Sequence, residues 1–297
     1  MIPKPRPFPT PKPLRLPRRR KVTIAIHLSG DFSLITATDT QGTYGSGDKV
    51  DSGKIMGNWR AQPLGAINIA GAGDSNYIAA LSQEIDREFK EFKGTIEELE
   101  IKIRKVSREF YMENVFLYEG KRKRDDIPDY SLLVALTHEG HSKLWNIEGT
   151  LLTESTPFDC IGIGSPVAER LLTRLYPLYP SLDSLAILSA YVIWEVKSSV
   201  DGCGLNTEIR IIHRERPVFV PSERILAWEG LFRRYKRLER EIFYHAMNFI
   251  ISPPMPLAFP EKFPIVPFEP QMRSLPEIAK QIEEIRAEFA KEPVFKR

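Results

Sequence analysis

The chain has 297 residues, of which 42% are hydrophobic and 27% charged, and its formal net charge at pH 7 is +3. This composition is typical of a soluble globular protein that can bury a sizeable core, in one large domain or two small ones. The only cysteines, Cys160 and Cys203, exclude a disulfide scaffold and a cysteine-rich metal site, and they favour a reducing, cytoplasmic compartment. No run approaches the roughly 20 apolar residues of a membrane span, and the N-terminus lacks the apolar core of a signal peptide, so we expect no membrane contact.

Residues 1–21 form a basic tail that is rich in proline. They hold eight Lys or Arg residues, seven prolines and no acidic residue, so the rest of the chain is net acidic. Proline fixes φ and lacks the N–H donor, which leaves extended, polyproline-like or disordered structure for this segment. Such a tail could bind nucleic acid or another acidic partner, could be a propeptide, or could be a solvated tail without a partner.

Residues 22–213 carry the pattern of a folded body. In chain order, the predicted elements are a β-hairpin over 22–27 and 32–38, a strand over 66–70, helices over 75–93 and 96–110, a hairpin over 130–137 and 143–147, helices over 167–175 and 184–198, and a strand over 207–212. Clustered strands and paired helices, without strict βαβ alternation, predict a layered α+β fold with antiparallel sheets.

The C-terminal part adds a helix over 222–249, a proline-rich stretch over 253–270 and a last helix. A capping-box spacing at Ser274-Leu275-Pro276-Glu277 marks the start of that last helix. Apolar residues then recur at steps of three and four: Leu275, Ile278, Ile282, Ile285 and Phe289. This stripe must be buried, either on the chain's own body or on a neighbouring subunit. We therefore divide the chain into a tail (1–21), a domain (22–250) and a linker with an amphipathic helix (251–297).

Two glycine motifs carry a resemblance to a known family. Ile69-Ala70-Gly71-Ala72-Gly73-Asp74 ends the predicted strand in a tight turn before a helix, and Gly162-Ile163-Gly164-Ser165-Pro166 precedes the later helix pair. The first motif lacks the third glycine and the Gly-Lys-Ser/Thr ending of a phosphate loop. In their order and separation, the two motifs resemble the 20S proteasome family of N-terminal-nucleophile hydrolases over about residues 22–212. The resemblance implies a four-layer αββα sandwich of two antiparallel sheets between helix layers, subunits that stack as rings, and neither cofactor nor metal.

The resemblance also implies site residues. In that family the mature chain begins with a threonine whose hydroxyl attacks a peptide carbonyl, with the free α-amine as base. Asp39 in Ala37-Thr38-Asp39 matches the acid of the second strand, and Lys54 in Gly53-Lys54-Ile55 matches the lysine of the following strand. Asp201 in Val200-Asp201-Gly202 matches a later supporting aspartate. The plain structural alternatives are an Asp39–Lys54 ion pair and an aspartate that stabilises its own turn.

Two alignments place the nucleophile differently. Counting back from Asp39 without gaps puts Thr23 at that position, whereas matching the apolar alternation of the first strand puts Lys21 there. The second alignment fits the alternation better and leaves the protein without a nucleophile. Val22 precedes Thr23 where self-processing members have glycine, which tolerates the strained backbone that the attack requires.

Two functions follow from these alignments. One is a proteasome-like, self-assembling subunit without peptidase activity, which would form a homo-oligomeric ring or dimer. The other is a self-processing threonine endopeptidase that acts on polypeptides after removal of residues 1–22. Two further residue patterns are interpreted as structural and not functional. His138 and His141 lie in a predicted surface turn and not in a metal site, and Cys203 is predicted to be a small buried residue.

Overall fold

The structure is a computed structural model, and it describes residues 23–43, 49–61, 63–116, 128–251 and 275–291. The predictions for the basic tail, for the proline-rich stretch and for the capping box at Ser274 lie outside the described residues.

Strands and helices occur in the order that the sequence predicts, with several additional strands. The strands are β1 (Ile24–Gly30), β2 (Ser33–Asp39), β3 (Gln41–Thr43), β4 (Lys49–Asp51), β5 (Ile55–Ala61), β6 (Leu64–Gly73), β7 (Tyr130–His138), β8 (His141–Glu148), β9 (Leu151–Glu154), β10 (Phe158–Gly162), β11 (Thr207–His213) and β12 (Arg216–Phe219). The helices are α1 (Ser75–Glu91), α2 (Ile96–Tyr111), α3 (Ser165–Leu175), α4 (Leu182–Ser199), α5 (Ser222–Ile251) and α6 (Leu275–Lys291). A π-helical turn, Met112–Phe116, extends α2.

Two antiparallel five-stranded sheets form the centre of the fold. The first has the strand order β10-β1-β2-β11-β12, and the second has the order β5-β6-β7-β8-β9. Strands β3 and β4 pair with each other separately. The predicted hairpins are confirmed: β1 pairs with β2, and β7 pairs with β8.

Helices cover the outer face of each sheet, and the inner faces pack together. Helices α3, α4 and α5 close a core on the first sheet that includes the buried Trp228. Helices α1 and α2 close a second core that includes the buried Phe89 and Trp145. Smaller clusters join the sheets, for example through Ala25 of β1 and Ala70 of β6. The predicted α+β class with four αββα layers is therefore confirmed.

Local signals explain where several helices begin. The Asp74 carboxylate accepts a hydrogen bond from the backbone N–H of Asn76 and caps α1. Thr95 and Glu98 form a reciprocal capping box at α2. These caps satisfy backbone donors that a helix start leaves free, so the sequence alone marks both positions.

The last helix, α6, packs on α5 of its own chain. Ile278 and Ile285 form a buried cluster with Leu231 and Leu238. The ring of Phe289 stacks on Phe232, with 5.9 Å between ring centroids. The chain's own α5 therefore contacts the apolar stripe that the sequence predicted.

None of the helices within the described ranges is long and apolar enough to cross a bilayer.

Candidate active site

Three polar side chains meet at the start of β1. The Thr23 hydroxyl donates a hydrogen bond to Asp39 Oδ1 over 2.6 Å. Lys54 Nζ donates to Thr23 Oγ1 over 2.5 Å and lies 2.7 Å from Asp39 Oδ1. Thr23 is 3% exposed and Asp39 is fully buried. A hydroxyl, a carboxylate and an amine thus form a closed, largely water-excluded triangle.

The sheet and the turn before β11 hold Asp39 in place. Strand β2 runs antiparallel to β1, which brings its last residue, Asp39, to the first residues of β1. Asp39 Oδ1 also accepts a hydrogen bond from the backbone N–H of Ile24 over 3.1 Å, and Oδ2 accepts one from Gly204 over 3.0 Å. Hydrogen bonds from several donors stabilise a buried carboxylate and fix its direction.

Lys54 lies between β4 and β5, and its amine is partly desolvated. Burial lowers the pKa of Lys54, and the negative charge of Asp39 opposes this shift. The ammonium form is therefore less favoured than that of a lysine in water, although its partner is a carboxylate. Such an amine exchanges a proton with a neighbouring hydroxyl more readily than an exposed lysine does.

The second glycine motif borders Thr23 directly. The backbone N–H of Gly164 donates to the Thr23 carbonyl over 3.4 Å. Gly162 has a φ of +99°, and a Cβ built on it would overlap that same carbonyl. Glycine is thus required here for both conformation and space.

Cys203 lies near the triangle but is unsuited to be its nucleophile. Burial raises the pKa of the Cys203 thiol to about 12. The negative charge of Asp39 adds to this shift, and the positive charge of Lys54 opposes it. The thiolate is the reactive form, so this cysteine is inert near neutral pH. Its interpretation as a small buried residue is consistent with its 6% exposure.

Asp201 does not join the other three predicted site residues. It lies in an exposed turn after α4, and it makes no hydrogen bond to Thr23, Asp39 or Lys54. Its turn contributes instead through the backbone, since Gly204 donates to Asp39. Sequence analysis also missed Glu208, whose carboxylate accepts from the backbone N–H of Lys54 over 3.1 Å. No local pattern marks Glu208, because its role depends on pairing between distant segments.

The predicted surface turn at His138 and His141 is only partly right. The two residues face each other across the β7–β8 hairpin, but His138 is buried. Its ring lies within hydrogen-bonding distance of Arg60 and of the Gly94 carbonyl, at 2.7 Å and 2.6 Å. Across the described ranges, the structure assembles no group of three or more His, Cys, Asp or Glu side chains that could hold a metal.

Comparisons with known proteins give structural but no sequence matches. No protein-family model and no curated protein matches the chain. Anbu (ancestral beta-subunit) from Yersinia bercovieri superposes with a TM-score of 0.61 at 14% identity, over 75% of this chain and 97% of that chain. The Anbu (Gly-1) mutant from Hyphomicrobium sp. strain MC1 gives a TM-score of 0.59 at 16% identity, over 72% and 95%. The helical assembly of the Anbu complex from Pseudomonas aeruginosa gives a TM-score of 0.59 at 14% identity, over 80% of this chain and 100% of that chain.

These matches define the fold and correct the family. At such identities the likeness shows the fold alone, which is proteasome-like. The assignment to the 20S proteasome family is wrong, because the similar structures named above are Anbu proteins. The predicted tight turn at Gly71–Gly73 is wrong, because β6 continues through Gly73. The physical reason for the family error is that Gly73 and Gly162 meet backbone demands, namely a positive φ and a close approach of another backbone segment. Such demands belong to the fold, so these glycines indicate the fold and not the family.

Proposed function

We propose that the protein is an Anbu-like, self-assembling hydrolase of peptide bonds, in which Thr23 is the nucleophile once residues 1–22 have been removed. One observation carries this proposal: the Thr23 hydroxyl lies 2.6 Å from Asp39 Oδ1 and 2.5 Å from Lys54 Nζ. An acid and an amine that meet at one buried hydroxyl fit an activated nucleophile. The same geometry supports the gap-free alignment, which assigns this position to Thr23 and not to Lys21.

The arrangement suggests the following reaction. Thr23 Oγ1 attacks the carbonyl carbon of the scissile bond, and its proton passes to a nearby base. The base in this proposal is the α-amine of Thr23 in the mature chain, since a free α-amine has a pKa of about 8. The C–N bond breaks, the amine product leaves with the proton, and water hydrolyses the resulting ester.

Asp39 has a supporting role in this proposal. Its carboxylate orients the Thr23 hydroxyl through one hydrogen bond and compensates the charge of Lys54 at 2.7 Å. A fixed negative charge keeps the lysine in place, while the charged lysine stabilises the negative charge that develops on Thr23 Oγ1 as its proton leaves. The substrate in this proposal is a polypeptide, and no cofactor takes part.

A second candidate is a non-catalytic assembly subunit. The observation that favours it is Val22, because a β-branched residue before the nucleophile disfavours the strained conformation needed for self-cleavage. In both candidates we propose that the protein forms homo-oligomers in the cytoplasm. The support is its likeness to a protein that was solved as a helical assembly. Light scattering at micromolar concentration tests this, and a monomer would contradict it.

The deciding experiment is the intact mass and N-terminal sequence of the purified full-length protein. The proposal predicts a chain that starts at Thr23 and hydrolyses fluorogenic peptides. Thr23→Ala should keep residues 1–22 and be inactive, whereas Thr23→Ser should retain part of both reactions because it keeps a hydroxyl. Thr153→Ala on β9, an exposed threonine, is the matched control and should behave as wild type. An unprocessed, inactive wild-type chain would instead support the non-catalytic subunit.

A further inference from the structure

We infer that Glu208 and Arg210 of β11 are positioning residues that hold the backbone of Lys54 so that its amine reaches Thr23. This inference deepens the proposed function, and only its catalytic consequence rests on that function.

The backbone N–H of Lys54 has an unusual partner. Ladder pairing of β5 begins one residue later, at Ile55 opposite Ala70. The Lys54 N–H instead donates to Glu208 Oε2 over 3.1 Å. Strand β11 belongs to the first sheet and β5 to the second. A carboxylate of one sheet therefore holds the start of a strand in the other, through a charge-assisted hydrogen bond.

The same part of β11 is in register with the strand of Asp39. Thr207 pairs with Asp39, and Glu208 pairs with Thr38. Backbone ladder bonds therefore fix Glu208 relative to Asp39, and its side chain binds the backbone of Lys54. This link sets the separation of the Lys54–Asp39 ion pair, which is 2.7 Å.

Arg210 in turn fixes the Glu208 carboxylate. Its Nε donates to Glu208 Oε1 over 2.8 Å. The guanidinium also lies over the ring of Phe219 on β12, 5.1 Å from the ring centroid. A planar cation that is held by both contacts restricts the rotamers of its carboxylate partner.

Gly57 leaves the space that Arg210 occupies. A Cβ built on Gly57 would lie 3.1 Å from Arg210 Nη1 and 2.7 Å from Asn68 Oδ1. Gly57 is on β5, the strand that Lys54 precedes. The arginine therefore packs against β5. Its partner Glu208 accepts the hydrogen bond from Lys54, the residue just before that strand.

Energetics separate a positioning role from a purely stabilising one. The Glu208 and Arg210 side chains are each 22% exposed. An ion pair with that access to water contributes little to stability. Loss of position at Lys54 has a larger effect on the reaction, since a displacement of about 1 Å at a reacting group can cost roughly 100-fold in rate.

The test compares Glu208→Ala, Glu208→Gln and Arg210→Ala in the full-length chain. Glu154→Ala is the matched control, because Glu154 forms a cross-strand pair with Lys143 at 2.7 Å outside the triangle. The first readout is the NMR signal of the ¹⁵N-labelled Lys54 ammonium, which can be measured without any enzymatic activity. The signal is assigned by its disappearance in Lys54→Arg. We expect this signal to move towards those of exposed lysines in Glu208→Ala and Arg210→Ala. It should move less in Glu208→Gln than in Glu208→Ala, because the amide oxygen still accepts from the Lys54 N–H although the NH₂ group cannot accept from Arg210.

The second readout is peptide hydrolysis. Glu208→Ala should lower kcat by roughly 10- to 100-fold with little change in KM, and Glu208→Gln should recover part of that loss. An unchanged Lys54 signal in Glu208→Ala, or an equal shift in Glu154→Ala, would overturn the inference. If the wild type hydrolyses no peptide but the Lys54 signal moves as expected, the proposed function fails and the positioning role stands.

Discussion

Gly162 lies against the carbonyl oxygen of Thr23, with no room for a side chain between them. The register of β10 and β1 places Gly162 opposite Ile24, the residue after Thr23. With a φ of +99°, Gly162 adopts a conformation that side chains disfavour. The motif that first suggested the fold therefore also shapes the backbone of the candidate site.

Gly162→Ala should displace Thr23 and abolish the peptide hydrolysis proposed for it. We expect a loss of about 2–4 kcal/mol in the free energy of unfolding, because backbone strain and overlap with the Thr23 carbonyl add together. Gly140→Ala is the matched control, since Gly140 also has a positive φ, 82°, but open space around its Cβ position. It should cost only about 1–2 kcal/mol and leave the reaction intact. Urea unfolding measures both variants, and equal losses would argue against the close approach at Gly162.

The buried Asp39–Lys54 pair should show strong coupling in a double-mutant cycle. Asp39→Asn or Lys54→Met alone leaves one buried charge without its partner, which should cost about 3–5 kcal/mol of stability. The double variant should cost clearly less than the sum, because neither charge remains. The comparison pair is Lys143–Glu154, which is more exposed and should couple by about 1 kcal/mol or less. Additive losses at Asp39 and Lys54 would contradict the ion pair.

His27 should make the protein sensitive to acid. It is fully buried, and within the described residues neither ring nitrogen has a hydrogen-bond partner. Burial lowers the pKa of His27 from 6.5 to about 3. The folded state therefore keeps the ring neutral while the unfolded state binds a proton below pH 6.5. The contribution of neutral His27 to the free energy of unfolding should be fully present above pH 6.5. It should fall by about 1.4 kcal/mol per pH unit as the pH drops from 6.5 towards 3.

His27→Leu should remove this contribution. At pH 7 we expect the free energy of unfolding of the variant to equal or exceed that of the wild type. Between pH 6.5 and 5, its decline should be smaller than the decline of the wild type by about 2 kcal/mol. Chemical denaturation at a series of pH values measures the slope. His141→Asn, at an exposed histidine on β8, is the control and should keep the wild-type slope. An unaltered slope in His27→Leu would show that other groups cause the acid sensitivity.

Helix α6 should be releasable without unfolding the body. Ile285 is buried only in the cluster between α5 and α6 and belongs to neither of the large cores. Ile285→Ala should therefore weaken this contact by about 2–5 kcal/mol and speed proteolytic removal of the C-terminal segment. The thermal midpoint of the body should change little, because local and global opening are separate events. Glu284→Ala, at an exposed position of α6, is the control. A large fall in the midpoint would place α6 in the main cooperative unit.

The elements that the sequence predicted well are those with local signals. Helices α1 and α2 begin at side chains that cap them, Asp74 and Thr95, and the apolar spacing of α2 marks its buried face. Strands β3, β4, β5, β9, β10 and β12 are not among the predicted elements. All of them except β5 have only three to five residues, and β5 mixes exposed and buried residues without clear alternation. Such strands are specified by their neighbours in the sheet and not by their own residues.

By itself, the sequence determined the layered α+β class and the order of elements, since periodicity and caps act over a few residues. It also supplied Asp39 and Lys54 as candidates, but it left Thr23 and Lys21 as alternatives. Tertiary structure decided that Thr23 contacts both charges, that Asp201 does not, and that Glu208 accepts a hydrogen bond from the Lys54 N–H. These outcomes depend on hydrogen bonds between segments far apart in the chain. Such bonds form only at short range, and a slip of one residue in strand register would turn each side chain to the opposite face.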